Sequence, residues 1–180
     1  WPQGREGSSP SFGITTNFMS IKLFITGGTI DKEYNSLNGE LVFVGTRLPE
    51  MLKQARSKID IKYEIIMLKD SLDMNNDDRK TVLEKCKKAK ENKIIITHGT
   101  DTMVETAKVL GKNISNKTIV LTGSMIPFSF GQSDALFNLG VAIGGAQSLP
   151  VGVFIAMNGK IFSWDNVRKN KTVGIFENCK

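Results

Sequence analysis

Short runs of apolar, mostly β-branched residues alternate with longer amphipathic segments from residue 21 onward. Continuous apolar runs of this length are typical of strands buried on both faces, whereas apolar positions three and four residues apart are typical of helices. The pattern predicts five strands, at residues 21–26, 61–68, 93–97, 117–123 and 151–156. Between them it predicts helices at residues 47–58, 75–92, 101–110 and 133–147.

This alternation predicts an α/β fold, a three-layer sandwich with a mostly parallel open sheet of Rossmann-like or flavodoxin-like type. In helix 75–92, the apolar face is formed by Val82, Leu83, Cys86 and Ala89. The Asn158-Gly159 pair after the fifth strand predicts a tight turn and a closing hairpin. No linker or internal repeat interrupts the pattern, so residues 20–180 are expected to form a single domain.

Residues 1–19 differ from the rest because they are rich in Gly, Ser and Pro and have no apolar core segment. They lack the features of a signal peptide. We expect a disordered extension or a cloning remnant.

Small polar residues follow the predicted strands at the point where each strand ends. They are Thr26 to Thr29, Ser71, Thr97 to Thr102, and Thr122 to Ser124. In an open α/β sheet, ligands bind outside the carboxyl ends of the strands. These hydroxyl groups are therefore expected to form the rim of one site.

The first of these loops, TGGTID, has two possible interpretations, a phosphate-binding loop or a loop that carries a nucleophile. Gly27 and Gly28 permit a tight turn with exposed N–H groups, as in phosphate-binding loops, but neither a dinucleotide nor a P-loop fingerprint is present. Thr29 is a candidate nucleophile, and the alternative for any single threonine is a turn or capping residue.

The second loop, HGTDT, also supports two readings. Asp101 is suited to cap the following helix, but capping does not account for Thr100 or Gly99. His98, the only histidine, has no GxSxG context and is expected to be structural. A threonine nucleophile needs a base, and a buried lysine is the leading candidate. Lys169, after the predicted hairpin, is one such lysine, although spacing alone does not select it.

Composition narrows the class of partner. The chain of 180 residues carries a net charge of +6, and Lys85, Lys87, Lys88 and Lys90 form its densest cluster. No aromatic residues interleave with these lysines, so we expect a solvated helix face and no nucleic-acid partner.

The sequence predicts no transmembrane segment. Cys86 and Cys179 form no CxxC pair, which fits a reducing cytoplasm and gives no indication of a metal site.

Six motifs occur in a recognisable order: TGGTID, KDSLDM, ITHGTDTMVETA, VLTGSM, SDALFNL and NVRKN. Together they resemble the asparaginase family over residues 21 to 173, and more closely its short, single-domain asparaginase-like members. The combination of TGGTI and HGTDT is highly specific.

The resemblance implies hydrolysis of L-asparagine to L-aspartate and ammonia through a threonine acyl-enzyme, with no metal or cofactor. Thr29 would be the nucleophile, assisted by Tyr34. Thr100, Asp101 and Lys169 would form the second catalytic cluster. The substrate-binding residues would be Gly28, Ser71, Gly99, Asp101 and Ser124. The partner would be a small amide, and assembly into a homo-oligomer, a dimer or tetramer, is expected.

Two features depart from the family pattern. Full-length members have a C-terminal domain that supplies residues to a neighbouring active site, whereas this chain stops at Lys180. Leu72 also stands where glutamine often helps to hold the substrate amino group. We therefore expect weaker asparagine binding, a different amide substrate, or a site completed by another subunit. A natural short protein is favoured over a fragment.

Three hypotheses follow. An amidohydrolase is favoured, because Thr29, Ser71, Thr100, Asp101 and Lys169 are all present. A non-catalytic amino-acid-binding or regulatory domain is the second. A nucleotide- or phosphate-binding domain is the weakest, because its fingerprint is missing.

Overall fold

The computed structural model describes residues 20–179, and the expectations for residues 1–19 lie outside this range. The helices within it are α1 (Leu48–Gln54), α2 (Asn76–Lys88), α3 (Met103–Asn113) and α4 (Ala135–Ser148). The strands within it are β1 (Ile21–Gly27), β2 (Lys32–Asn35), β3 (Glu40–Phe43), β4 (Ile61–Lys69), β5 (Lys93–Thr97), β6 (Thr118–Thr122), β7 (Gly152–Met157), β8 (Lys160–Ser163), β9 (Arg168–Asn170) and β10 (Ile175–Glu177). Three single-turn 3-10 helices lie at Thr29–Asp31, Ser71–Asp73 and Phe128–Phe130 in this range.

The predicted α/β sandwich is confirmed. In the described residues, the central sheet has the order β4-β1-β5-β6-β7-β8. Its pairs are parallel except for β7 with β8, which form the antiparallel hairpin predicted from Asn158-Gly159. The parallel strands follow the flavodoxin-type order 2-1-3-4-5.

Strand side chains alternate between two apolar cores, one on each face of the sheet. Ile94 and Ile96 point to the core under α2 and α3, whereas Ile95 points to the core under α1 and α4. Cys86 is fully buried in the first core, as its helix position predicted. Burial on both faces explains why the strands read as continuous apolar runs.

The connection from β6 through α4 to β7 has the opposite hand to the others. The step from β1 to β4 runs one way along the sheet and the step from β6 to β7 runs the other way, yet α1 and α4 cover the same face. The steps through α2 and α3 share the hand of the first. Since such connections are right-handed in about 98% of cases, β6–α4–β7 is a rare left-handed crossover.

The crossing segment, residues 123–134, changes face at the carboxyl edge of the sheet. Its 3-10 helix packs on the segment that follows β1, and the Ser129 hydroxyl donates a hydrogen bond to the Lys32 carbonyl at 2.9 Å. The unusual crossover therefore places this segment beside the loop that carries Thr29.

Candidate active site

The loops after β1 and β5 touch at the carboxyl edge of the sheet. These strands are neighbours, and their helices α1 and α3 cover opposite faces, which makes this the topological switch point where open α/β sheets bind ligands. Gly28 has φ 84°, and a β-carbon built on it would lie 2.3 Å from the backbone nitrogen of Gly99. Only glycine allows this approach, and it brings the neighbouring residues Thr29 and Thr100 to the same edge.

A third loop completes the arrangement. A β-carbon at Gly99 would lie 2.6 Å from both Cβ and Oγ of Ser71, whose residue is 1% exposed. The Thr102 hydroxyl donates to the Ser71 carbonyl at 2.7 Å, and the Thr102 N–H points at Ser71 Oγ from 3.4 Å. Ser71 is thus held directly beneath the HGTDT loop.

Lys169 reaches this loop from β9. Its Nζ donates to Thr100 Oγ1 at 2.8 Å and to Asp101 Oδ1 at 2.7 Å. The lysine side chain is 10% exposed and the aspartate side chain 35% exposed, so the ion pair is partly shielded from water on the lysine side. These residues are 68 to 69 positions apart in the sequence, and only the fold brings them together.

Thr29 begins the 3-10 helix after β1 and is half-buried. Within residues 20–179 the Thr29 hydroxyl forms no hydrogen bond. The threonine that is hydrogen-bonded to Lys169 is Thr100. The backbone N–H groups of Thr29 and Thr100 also meet no acceptor in the described part of the chain. Two such donors beside a candidate nucleophile are suited to stabilise an oxyanion.

Two charged residues at this edge were not identified from the sequence. Lys32 binds Asp70 at 2.5 Å, and Asp70 Oδ1 also accepts the N–H of Leu72 at 3.0 Å. Burial opposes ionisation, but these hydrogen bonds and the charges of Lys32 and Lys169 hold the pKa of Asp70 below its usual value. Their positions inside TIDK and DSLDM were the available signal, since each lies within three residues of a predicted site residue.

Within residues 20–179, the hydroxyls of two predicted site residues, Tyr34 and Ser124, form no hydrogen bond with Thr29, Thr100 or Lys169. Tyr34 lies in the β2–β3 hairpin, is 59% exposed, and its hydroxyl lies 3.9 Å from the position of a β-carbon on Gly39 at the turn. Ser124 is buried, and its hydroxyl donates to the carbonyl of Ile126 at 2.7 Å within its own loop.

His98 is a packed structural residue in this arrangement. Its Nδ1 lies 2.7 Å from the Gly99 carbonyl, which can only accept, so Nδ1 carries the proton and Nε2 accepts from the Thr106 hydroxyl at 2.8 Å. Burial lowers the pKa of His98 to about 4. The imidazole is neutral at physiological pH, it is fully buried, and both of its nitrogens already have partners in the protein.

Asp31 anchors the turn that carries Thr29. Its Oδ1 accepts from the Thr46 hydroxyl at 2.9 Å and from the Arg47 N–H at 3.0 Å, just before α1. Its Oδ2 is buried with no partner among residues 20–179. Desolvation by burial raises the pKa of Asp31, although both hydrogen bonds work in the other direction.

The geometry does not favour a phosphate site at Gly27-Gly28. Phosphate-binding loops commonly lead into the N-terminus of a helix, whereas β1 is followed by one 3-10 turn and a hairpin. Within residues 20–179, no group of three or more His, Cys, Asp or Glu side chains is placed to hold a metal ion.

A groove of about 720 Å³ lies away from these loops, between α2 and the β1–β4 edge. It contains none of the motif residues. Lys22 and Lys85 on its wall are already paired with Glu64. Glu84 and Glu91 on the same wall are paired with Lys87 and Lys62.

The sequence matches a known protein family over most of its length. The family described as "Asparaginase, N-terminal" matches residues 20–176. The chain belongs to the asparaginase family.

Curated asparaginases match this chain along most of its length. "L-asparaginase 2" of Escherichia coli is 31% identical over 173 residues, which cover 91% of this chain and 50% of the relative. "Probable L-asparaginase periplasmic" of Haemophilus influenzae is 30% identical over 181 residues, covering 94% and 51%.

Solved asparaginase structures share the fold. The thermostable L-asparaginase from Thermococcus kodakarensis has a TM-score of 0.79 at 29% identity, covering 89% of this chain and 51% of that one. The probable cytoplasmic L-asparaginase from Campylobacter jejuni has a TM-score of 0.77 at 32% identity, covering 88% and 52%. This asparaginase-family chain thus spans about half the length of its relatives.

The relatives include proteins named as periplasmic and as cytoplasmic. Among residues 20–179, none of the helices has the length and apolar character needed to cross a bilayer. Leu72, which follows Ser71, is 66% exposed.

Proposed function

We propose that this protein is an amidohydrolase that converts L-asparagine, or a closely related small amide, to L-aspartate and ammonia. The observation that carries the proposal is the contact of Lys169 with both Thr100 and Asp101, on the loop that touches the turn of Thr29. Membership of the asparaginase family supports the same reaction class.

In the proposed first step, Thr29 Oγ attacks the amide carbonyl carbon while Thr100 and Lys169 relay the hydroxyl proton towards the departing nitrogen. The C–N bond breaks, ammonia leaves, and an ester joins the aspartyl group to Thr29. Water then attacks this ester, the acyl–oxygen bond breaks, and aspartate leaves as Thr29 regains its proton. The free N–H groups of Thr29 and Thr100 would stabilise the oxyanion in both steps.

Substrate recognition is proposed to use separate groups for the two charged ends. Ser71, with Gly28 and Gly99 close by, would hold the α-carboxylate, and Asp101 would meet the α-ammonium. Tyr34 would assist Thr29, and Ser124 would contribute to substrate binding, as the resemblance to the family implies. In this structure the Tyr34 hydroxyl lies near Gly39 and the Ser124 hydroxyl binds the Ile126 carbonyl. The proposal includes assembly into a dimer or tetramer and a cytoplasmic location, which sedimentation and cell fractionation would test.

Ammonia release from L-asparagine, L-glutamine and D-asparagine tests the proposal. Thr29→Ala should abolish turnover, and Lys169→Met should reduce it by about 100-fold or more, as loss of a positioned proton-transfer group does. Thr81→Ala is the matched control, because Thr81 is an exposed threonine on α2 whose hydroxyl bonds only to the Asp77 carbonyl among the described residues.

Well-folded protein that releases no ammonia from any of these amides would contradict the proposal. A non-catalytic amino-acid-binding domain would then be favoured. Calorimetry with L-aspartate separates the two, since a binding domain would bind it without turnover.

A further inference from the structure

The hairpin that carries Lys169 is too short to hold its own position. Within the described residues, β9 and β10 pair only with each other and contribute three residues each. An isolated two-stranded hairpin is marginally stable in water. The location of Lys169 must therefore depend on contacts between this hairpin and the rest of the fold.

One such contact lies directly across from Lys169. Phe176 pairs with Lys169 in the hairpin, and its side chain is buried in the core under α2 and α3. The Phe176 N–H donates to Asn158 Oδ1 at 2.9 Å. Asn158 therefore holds the outer edge of β10 at the residue opposite Lys169.

Asn158 is itself fixed by a buried network. Its N–H donates to Asn138 Oδ1 at 3.1 Å, and Asn138 is fully buried in α4. Asn138 Nδ2 donates to the Gly123 carbonyl at 3.0 Å and to Asp134 Oδ2 at 2.8 Å. Every polar atom of the Asn138 side chain thus has a partner, as a rigid buried network requires.

The far end of this network meets the HGTDT loop. A β-carbon on Gly123 would lie 2.3 Å from the His98 carbonyl oxygen, so the two backbones are in direct contact. His98 precedes Gly99 and Thr100. A continuous path of contacts therefore runs from the Thr100 loop through Asn138 and Asn158 to the strand opposite Lys169.

We infer that Asn158 is a positioning residue, which places Lys169 against Thr100 and Asp101 by anchoring β10 to α4. The inference rests on the proposed function, because it assigns Asn158 a part in the same reaction. Misplacement of a catalytic group by about 1 Å can cost about 100-fold in rate. A side chain that makes no contact with substrate can therefore control turnover.

Two substitutions separate positioning from turn formation. Asn158 and Gly159 have φ 56° and 73°, as in a type I′ turn. Asn158→Gly keeps this backbone conformation but removes the acceptor for Phe176. Asn158→Asp keeps both the turn preference and the acceptor. We expect Asn158→Gly to lower kcat by about tenfold or more with KM within about twofold, and Asn158→Asp to retain most of kcat.

A second readout needs no turnover. Hydrogen exchange at the Phe176 amide and acetylation of Lys169 should both quicken by about tenfold in Asn158→Gly and stay near wild type in Asn158→Asp. Exposed Lys53 is the internal reference and should be acetylated equally in all three proteins.

The outcomes distinguish the inference from the proposed function. Unchanged Phe176 exchange and Lys169 acetylation in Asn158→Gly would overturn the inference, as would an unchanged kcat in an active enzyme. If the wild type releases no ammonia but Asn158→Gly still exposes Lys169, the proposed function fails and the structural role of Asn158 stands.

Discussion

Replacing Gly99 by alanine should drive a methyl group into the residue proposed to hold the substrate carboxylate. The new β-carbon would lie 2.6 Å from Cβ and Oγ of Ser71 and 3.0 Å from its backbone nitrogen. Ser71 is enclosed and the HGTDT loop is tied to it through Thr102, so neither side can move away freely.

Overpacking of this kind costs about 1–3 kcal/mol. For a domain of this size, the midpoint of thermal unfolding should fall by about 2–4 °C per kcal/mol. Gly144→Ala is the matched control, because Gly144 lies in the interior of α4 with nothing within 4 Å of its would-be β-carbon. That change should stabilise the protein by about 0.5–1 kcal/mol.

A double-mutant cycle locates the clash. Ser71→Gly removes both side-chain atoms that the new methyl would meet, so Gly99→Ala should be less damaging in that background. Coupling of about 0.5–3 kcal/mol is typical of residues in direct contact. Urea unfolding followed by circular dichroism measures all four proteins. Additive free energies, or a Gly99→Ala protein as stable as Gly144→Ala, would show that the methyl group does not clash with Ser71.

Two further predictions concern pH. The folded state holds a proton on Asp31 more tightly than the unfolded state does, so the contribution of Asp31 to stability falls as pH rises above the usual carboxyl range. Asp31→Asn, which keeps the acceptor for Thr46, should therefore be more stable than wild type at neutral pH and lose this advantage in acid. Urea unfolding across pH measures the difference in stability. An Asp31→Asn variant that is less stable than wild type at every pH would contradict the prediction. His98 should stay neutral down to about pH 4, and because its folded-state pKa is lowered, it should reduce stability as pH falls from 6.5 towards that value. The resonance of this single histidine, followed by proton NMR, would disagree with the structure if it titrated near pH 6.5.

The α/β layers were predictable because each strand is buried on both faces, which leaves a continuous apolar run in the sequence. The strand of residues 93–97 was predicted with its observed limits. Predicted helices were too long where polar ends fray: residues 47–58 form a helix only over Leu48–Gln54, and residues 75–92 only over Asn76–Lys88.

The two small hairpins were not predicted. β2–β3 and β9–β10 have half-exposed strands of three or four residues, so they carry no continuous apolar run. The left-handed crossover was not predicted either, because the sequence of a helix does not indicate which face of the sheet the helix covers.

The site was predicted only in part from the residues themselves. The hydroxyl-rich strand ends indicated the edge of the sheet, because parallel strands end together. The sequence did not distinguish Lys169 from the other lysines, and only the fold brings its side chain into contact with Thr100. Asn158 was identified as a turn residue, but its bond to Phe176 depends on tertiary contacts that no local pattern records.

In the proposed reaction, Thr29 carries the acyl group during turnover. The protein should be mixed with L-asparagine, quenched in acid and digested with trypsin before mass spectrometry. Lys22 and Lys32 flank Thr29, whereas Lys93 and Lys108 flank Thr100, so the two threonines fall in separate peptides. We expect the mass of an added aspartyl group on the Thr29 peptide. The same adduct on the Thr100 peptide, the threonine already bonded to Lys169, would contradict it.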